Sequence, residues 1–248
     1  MMSEKLWKLD GILRLLAGIF ACLSAISLLQ LACQQVLGKQ AFDEGSLLYL
    51  VFASLSMHGS ILFVTGIFLW LHRISWADAF GFSTPPLSRA IRFGLLAALV
   101  FLPVGMVLQE VSFRMLDWFH IATPPQAAVE EFDQASSWMS KAYLAFFAII
   151  LAPFAEEILF RGILYQGLKQ IGYPRFALWS TALIFAVIHH SAVIFVPLLV
   201  LGLMLAWLYD KTNNLLASIT AHSVFNAINV VLLLGDDLKK VFIKFTHS

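Results

Sequence analysis

The chain has 248 residues, of which 60% are hydrophobic and only 12% are charged, and its mean hydropathy is +0.84. A soluble domain is usually about a quarter charged and less than half apolar. This composition excludes an ordinary soluble domain and predicts a polytopic integral membrane protein that has the lipid bilayer as its partner. The formal net charge of +1 provides no strongly basic face, so we expect no nucleic-acid partner.

Seven apolar segments approach the length of about 20 residues that a membrane-spanning helix needs. They predict an all-α fold, a helical membrane bundle of about seven spans within a range of six to eight. The fifth and sixth segments are short and are separated by His-His-Ser, which favours a tilted hairpin or a broken pair. The seven segments are 11–37, 46–71, 91–112, 142–168, 175–190, 192–209 and 215–234.

The order of these segments suggests four regions. N-terminal transmembrane helices of variable type occupy 1–112, and a long extramembrane connection, long enough to include an interfacial helix, occupies 113–141. A helical core, formed by the fourth, fifth and seventh segments, is predicted at 142–234, and a polar tail follows at 235–248. The sequence shows no internal repeat.

Lysine and arginine in short loops predict the orientation of a membrane protein, because they accumulate on the cytoplasmic side. Placing the N-terminus in the cytoplasm puts nine of these residues on that side and six on the other. We therefore expect a cytoplasmic N-terminus. The nine are Lys5, Lys8, Arg14, Arg73, Arg89, Arg92, Lys169, Arg175 and Lys211, and the six are Lys39, Arg114, Lys141, Lys239, Lys240 and Lys244.

Two carboxylates and a guanidinium interrupt the fourth segment, in the stretch "ILAPFAEEILFRGILYQGL". A charge at the centre of a bilayer costs roughly 2.5–3.5 kcal/mol. Glu157 and Arg161 are four residues apart, so they can pair on one helix face, as a structural ion pair or as support for a site. Glu156 points about 100° away and has no partner on its own helix, which favours chemistry there. Pro153 predicts a kink one turn earlier.

The fifth and seventh segments carry further polar groups. Phe185 and His189 share a helix face, although a histidine at a helix end is also typical of capping. Ser218, His222 and Asn226 form a stripe on the seventh segment. Such a stripe can be interhelical glue, but imidazole and carboxamide groups can also donate hydrogen bonds to a developing oxyanion or ligate a metal.

Three motifs in this order, "EEILFR", "FAVIH" and "HSVFN", resemble the signature motifs of the CPBP family. That family comprises the type II CAAX prenyl endopeptidases and the bacterial Abi and bacteriocin-processing or immunity proteins. The resemblance covers residues 142 to 229. It implies an intramembrane endopeptidase, in a bacterial inner (cytoplasmic) membrane, that cleaves a membrane-associated and in some cases lipidated peptide or protein.

The resemblance also implies roles for individual residues. Glu156 and His189 would activate a water for attack on the scissile carbonyl, and His222 and Asn226 would stabilise the oxyanion. As supporting residues, Glu157 and Arg161 would order the site and Phe185 would form part of its wall. All seven residues match the motif positions.

The sequence leaves the need for a metal open. Glu156, His189 and His222 could ligate Zn²⁺ and leave a fourth position for water. A metal-free glutamate mechanism uses the same side chains, and no His-Glu-x-x-His motif is present. We favour a metal-free or metal-optional site, and Zn²⁺ is the one cofactor that the sequence suggests.

Two other functions compete with the protease. A non-catalytic membrane scaffold or bacteriocin-immunity-type protein could use the same fold to bind a partner. An ion-coupled transporter could also carry intramembrane Glu, His and Arg, but it usually has a repeated architecture, which this sequence lacks.

Overall fold

The structure is a computed structural model that describes residues 7–83, 86–124, 126–135 and 137–246, with side chains described up to residue 235. Within these ranges the chain forms helices and no strand, so the all-α prediction is confirmed. Lys5 and the side chains of the predicted tail lysines, Lys239, Lys240 and Lys244, lie outside the described residues.

Each of the seven predicted segments is a helix, and the described ranges contain two further short α-helices and a 3₁₀ helix, Lys39–Phe42. The helices are α1 Leu9–Leu37, α2 Leu47–Leu71, α3 Trp76–Phe80, α4 Leu87–Trp118, α5 Ala127–Gln134, α6 Trp138–Gln170, α7 Pro174–Val187, α8 Ala192–Thr212 and α9 Leu215–Thr246.

Six of these helices in the described part of the chain are long and apolar enough to cross a membrane. The exception among the seven is α7, whose 14 residues extend only about 21 Å. The expectation that the sixth segment is also short is wrong, because α8 has 21 residues. The polar last turn of α8 stays helical, since Tyr165 and Lys169 of α6 donate hydrogen bonds of 2.6 and 2.7 Å to Asp210.

Polar residues at the helix ends determine where several spans begin. The hydroxyl of Ser46 accepts a hydrogen bond from the Tyr49 N–H at the start of α2, and that of Ser137 accepts one from the Ser140 N–H at the start of α6. These are N-caps, which satisfy backbone donors left free by the first helical turn. At the other end of the bundle, Asn213 adopts a left-handed conformation with φ of 48° and ends α8. The chain then reverses directly into α9.

The long connection after α4 contains the helix that its length allowed. The eight residues of α5 bury Phe132 against Leu50 of α2 and Leu144 of α6. The Nζ of Lys141 lies 5.0 Å from the centre of the same ring. The connection is therefore packed onto the ends of α2 and α6.

Two spanning helices contain widened π-helical turns. In α2 the π-helical stretch is Leu55–Gly59, and in α6 there are two, Phe147–Leu151 and Ile158–Tyr165. The stretch Phe147–Leu151 ends just before Pro153, where the sequence predicts a kink, consistent with a proline that cannot donate a backbone N–H. Such turns are frequent at functional sites because they re-aim side chains.

Helices α4 and α9 approach each other closely at Gly94. A Cβ atom built on Gly94 would lie 2.5 Å from the carbonyl oxygen of Ala217 and 2.7 Å from the Cβ of Thr220. Small residues allow this kind of approach between membrane helices. Because one of the two obstructing atoms belongs to the backbone of α9, a side chain at position 94 has to push the helices apart.

We expect Gly94→Val to lower the free energy of unfolding by about 1–3 kcal/mol, the usual cost of overpacking. Titration with a denaturing detergent, followed by tryptophan fluorescence, measures this. Gly235→Ala is the matched control, because a Cβ there meets no atom within 4 Å. A Gly94→Val protein as stable as the control would show that the two helices separate without cost.

Candidate active site

A buried ionic cluster joins α6 to α9. The guanidinium of Arg161 donates a hydrogen bond of 2.7 Å to Oε1 of Glu157, which confirms the predicted pair. The same carboxylate oxygen accepts a hydrogen bond of 3.0 Å from Nδ1 of His222. Arg161 also donates to the carbonyl of Gly202 in α8 at 3.3 Å. Both charged side chains are almost completely buried, so their mutual pairing compensates for the loss of water.

Glu156 faces a different set of neighbours from Glu157, as the helical spacing predicted. Its Oε1 accepts a hydrogen bond of 3.2 Å from Nε2 of His58, a residue of α2. Its Oε2 lies 3.8 Å from Nε2 of His222, which is an ion-pair separation and longer than a hydrogen bond. The Glu156 side chain retains 12% of its exposure, whereas Glu157 retains none. Glu156 therefore has imidazoles on two sides and a partly open face.

The ring of Phe185 forms a wall shared by the polar groups. Its centre lies 4.4 Å from the Arg161 guanidinium carbon, 4.9 Å from the His189 ring and 5.7 Å from the His222 ring. The phenyl ring itself is fully buried. One aromatic side chain therefore holds the ionic pair, the end of α7 and the middle of α9 in a fixed arrangement.

His189 is held by its own helix. Its Nδ1 lies 2.7 Å from the carbonyl oxygen of Phe185. Because a carbonyl only accepts hydrogen bonds, Nδ1 carries the hydrogen, and in the neutral ring Nε2 is then an acceptor. This hydrogen bond caps the end of α7, as is typical of a histidine at a helix end. The same bond sets the orientation of the imidazole ring.

The polar stripe on α9 makes hydrogen bonds to two other helices of the bundle. Ser218 donates a hydrogen bond of 2.8 Å to the carbonyl of Leu205 in α8, and the amide nitrogen of Asn226 donates one of 2.8 Å to the carbonyl of Ala148 in α6. Ala148 lies in the first π-helical stretch of α6. The stripe therefore does bind helices together, and it places Asn226 one turn beyond His222.

Exposure differs among the predicted site residues. Glu156, His189 and Asn226 are half-buried, whereas Glu157, Arg161 and Phe185 are buried. His222 is also buried, with 2% exposure.

A cavity of about 610 Å³ lies elsewhere, at the end of α2, lined by Trp70, Leu71, Arg73, Ile74 and Ser75.

His58 was missed by reasoning from the sequence. It lies in the first region, which the motifs do not cover. The signal that could have revealed it is its position, since a histidine in the middle of an apolar span is by default a candidate functional residue. The structure therefore adds α2 to the three helices that were expected to supply the site.

The described residues do not fit the zinc ligand set that the sequence left open. No group of three or more His, Cys, Asp or Glu side chains in the described ranges is arranged to hold a metal ion. Glu156 is instead hydrogen-bonded to His58. We therefore derive no chemical step through a metal.

Comparison with known proteins gives one family match and two bacterial relatives. Residues 138–228 match a family model described as "Type II CAAX prenyl endopeptidase Rce1-like". Over 86 residues the chain is 35% identical to "Uncharacterized protein YpbD" of Bacillus subtilis (strain 168), an alignment that covers 33% of this chain and 41% of that protein. No solved structure matches the chain.

A second relative is "UPF0177 protein YxdF" of Lactococcus lactis subsp. lactis (strain IL1403). It is 30% identical over 78 residues, 31% of this chain and 42% of that protein. The matches thus span less than half the length of either relative. The family match contains every site residue predicted from the sequence, and His58 lies outside it. Residues 138–228 therefore match the Rce1-like family model of type II CAAX prenyl endopeptidases, in agreement with the resemblance of the three motifs to the CPBP family.

Proposed function

We propose that this membrane protein is an intramembrane endopeptidase that hydrolyses a peptide bond of a membrane-associated, in some cases lipidated, peptide or protein. The observation that carries the proposal is Glu156, a half-buried carboxylate inside an apolar bundle with His58 and His222 beside it. A carboxylate in such a place is costly unless it has a function. The family of residues 138–228 supports the choice of peptide hydrolysis.

In this proposal Glu156 acts as the general base. It takes a proton from a water molecule as the water oxygen bonds to the scissile carbonyl carbon. His189 assists, because its Nδ1 is occupied by the Phe185 carbonyl and its Nε2 is the nitrogen that can accept a proton. When the carbon–nitrogen bond breaks, the proton taken from water passes to the leaving amine.

His222 and Asn226 would stabilise the oxyanion. The Asn226 amide uses one N–H on Ala148 and has a second N–H to donate. His222 donates to Glu157 through Nδ1, and it can donate through Nε2 when both ring nitrogens carry hydrogen. Two donors aimed at developing negative charge are the usual arrangement for acyl transfer. Glu157, Arg161 and the wall formed by Phe185 hold His222 in place.

The proposal extends to location. We place the protein in the cytoplasmic membrane of a bacterium, with its N-terminus in the cytoplasm. The larger number of lysine and arginine residues on the same side as the N-terminus supports this orientation. The two bacterial relatives support a bacterial membrane.

Isotope labelling tests the reaction type. We expect protein reconstituted in liposomes to cleave at least one probe from a panel of farnesylated, acylated and unmodified membrane peptides. In water enriched in ¹⁸O, single-turnover hydrolysis should place one ¹⁸O atom in the new carboxyl group, as mass spectrometry measures. Cleavage without the label would contradict direct attack by water. Failure to cleave any member of the panel would contradict the proposed substrate class.

A further inference from the structure

His58 connects the N-terminal helices to the candidate active site. Its Nε2 lies 3.2 Å from Oε1 of Glu156, and the residue is only 8% exposed. We propose that His58 is a positioning residue that holds Oε1 of Glu156 and leaves Oε2 as the oxygen that receives the proton from water. The inference rests on the proposed function, and it concerns a residue outside the matched family region.

The direction of this hydrogen bond follows from the groups around the ring. A carboxylate only accepts, so Nε2 of His58 carries the hydrogen and donates it. Nδ1 is buried without a hydrogen-bond partner among the described residues. The opposite neutral tautomer would place two acceptors against each other at 3.2 Å and would bury an unsatisfied N–H. The observed surroundings therefore select one arrangement of the His58–Glu156 pair.

The backbone and an aromatic neighbour fix the orientation of the imidazole. His58 lies in the π-helical stretch Leu55–Gly59 of α2. Phe147, in the facing π-helical stretch of α6, meets the ring edge-on, with ring centres 4.8 Å apart and planes at 90°. Both helices thus depart from regular geometry where His58 meets α6. A ring held in this way restricts the carboxylate to one rotamer before substrate arrives.

The alternative explanation, that His58 only fills space, does not account for the burial of its polar ring nitrogens. Burying an imidazole with one unsatisfied nitrogen costs free energy that leucine at the same position would avoid. The hydrogen bond to Glu156 offsets that cost only partly. Since Oε2 of Glu156 lies 3.8 Å from His222, the bond to His58 leaves that oxygen directed towards the predicted oxyanion donor.

Substitutions of His58 by side chains that can or cannot reach Glu156 distinguish a positioning role from a packing role. The probe is a quenched fluorescent peptide with a farnesylated CAAX terminus, and the protein is the full chain in liposomes. We expect His58→Leu to lower kcat roughly 10- to 100-fold with little change in KM, the effect of losing a hydrogen bond to a charged group. His58→Gln should retain most of kcat because its amide nitrogen can reach the place of Nε2, whereas the shorter His58→Asn should behave like leucine.

His72→Leu is the matched control. His72 directly follows the last residue of α2, is exposed, and hydrogen-bonds to the carbonyl of Phe68. We expect its kcat to equal that of the wild type. The proposal is overturned if His58→Leu keeps wild-type kcat, or if glutamine is as slow as leucine. If the His58→Leu protein does not fold, the kcat values of His58→Gln and His58→Asn are compared instead, and equal values overturn the proposal.

An infrared measurement separates failure of this inference from failure of the proposed function. The difference spectrum between wild type and Glu156→Gln identifies the carboxylate band of Glu156 without any substrate. That band should move in His58→Leu and stay in His58→Gln. An unmoved band in His58→Leu would refute the hydrogen bond, whatever the activity. If the wild type cleaves no probe, the proposed function fails while the band still reports whether His58 holds Glu156.

Discussion

Replacement of Glu156 by glutamine should abolish peptide cleavage while the protein remains folded. General acid–base catalysis contributes about 10²–10⁴-fold to a rate, so we expect kcat to fall by roughly 10³-fold. Glutamine has nearly the same shape, and its carbonyl oxygen can still accept the hydrogen bond that His58 gives to Glu156 at 3.2 Å. What it lacks is the basic oxygen that takes a proton from water. The rate of probe cleavage in liposomes measures the effect.

Glu130→Gln is the matched control for this experiment. It makes the same chemical change on α5, where the side chain is exposed and lies outside the cluster. Both variants should unfold at the temperature of the wild type. Cleavage by Glu156→Gln at the wild-type rate would show that the catalytic assignment is wrong. A biological phenotype that survives in the same variant would favour the non-catalytic scaffold or immunity alternative.

Removal of the Arg161 guanidinium should be the most damaging change to stability in the described cluster. In Arg161→Met the Glu157 carboxylate loses its 2.7 Å partner in a fully buried position. Leaving one member of a buried ion pair without the other costs about 3–5 kcal/mol. The aromatic contact with Phe185 is lost as well. We expect a loss of stability of this size in detergent-unfolding titrations.

A second substitution tests whether the unpaired charge is the cause. In the double variant Glu157→Gln with Arg161→Met, no charge of the pair remains, and glutamine can still accept the hydrogen bond from His222. We expect at least half of the lost stability to return. A single variant that costs less than about 1 kcal/mol, or a double variant that is worse than the single, would contradict the buried ion pair as the stabilising feature.

The sequence by itself determined the class of fold. The mean hydropathy of +0.84 and the seven long apolar segments predict a helical membrane bundle, because helices satisfy their own backbone hydrogen bonds in lipid. The segment bounds agree closely for α1 and α2, because their apolar runs end at polar or glycine-rich turns. They agree less well for α4, where polar residues such as Glu110 and Arg114 remain helical through an exposed ion pair at spacing four.

Helical spacing also predicted the internal geometry of α6. It paired Glu157 with Arg161 and turned Glu156 to another face, because both statements depend only on the angular spacing of nearby residues along one helix. The π-helical turn that begins at Ile158 does not break the pair. The roles of these residues in catalysis stay predictions.

Only the tertiary structure decided which helices meet at Glu156. The positions of residues along separate helices do not tell which side chains meet. That His222 bonds to Glu157, or Asn226 to the backbone of Ala148, depends on how the helices tilt and pack. The same holds for residues 98 positions apart, as His58 and Glu156 are. No periodicity in one segment encodes a contact with another. The contribution of α2 to the site therefore became visible only when the helices were packed together.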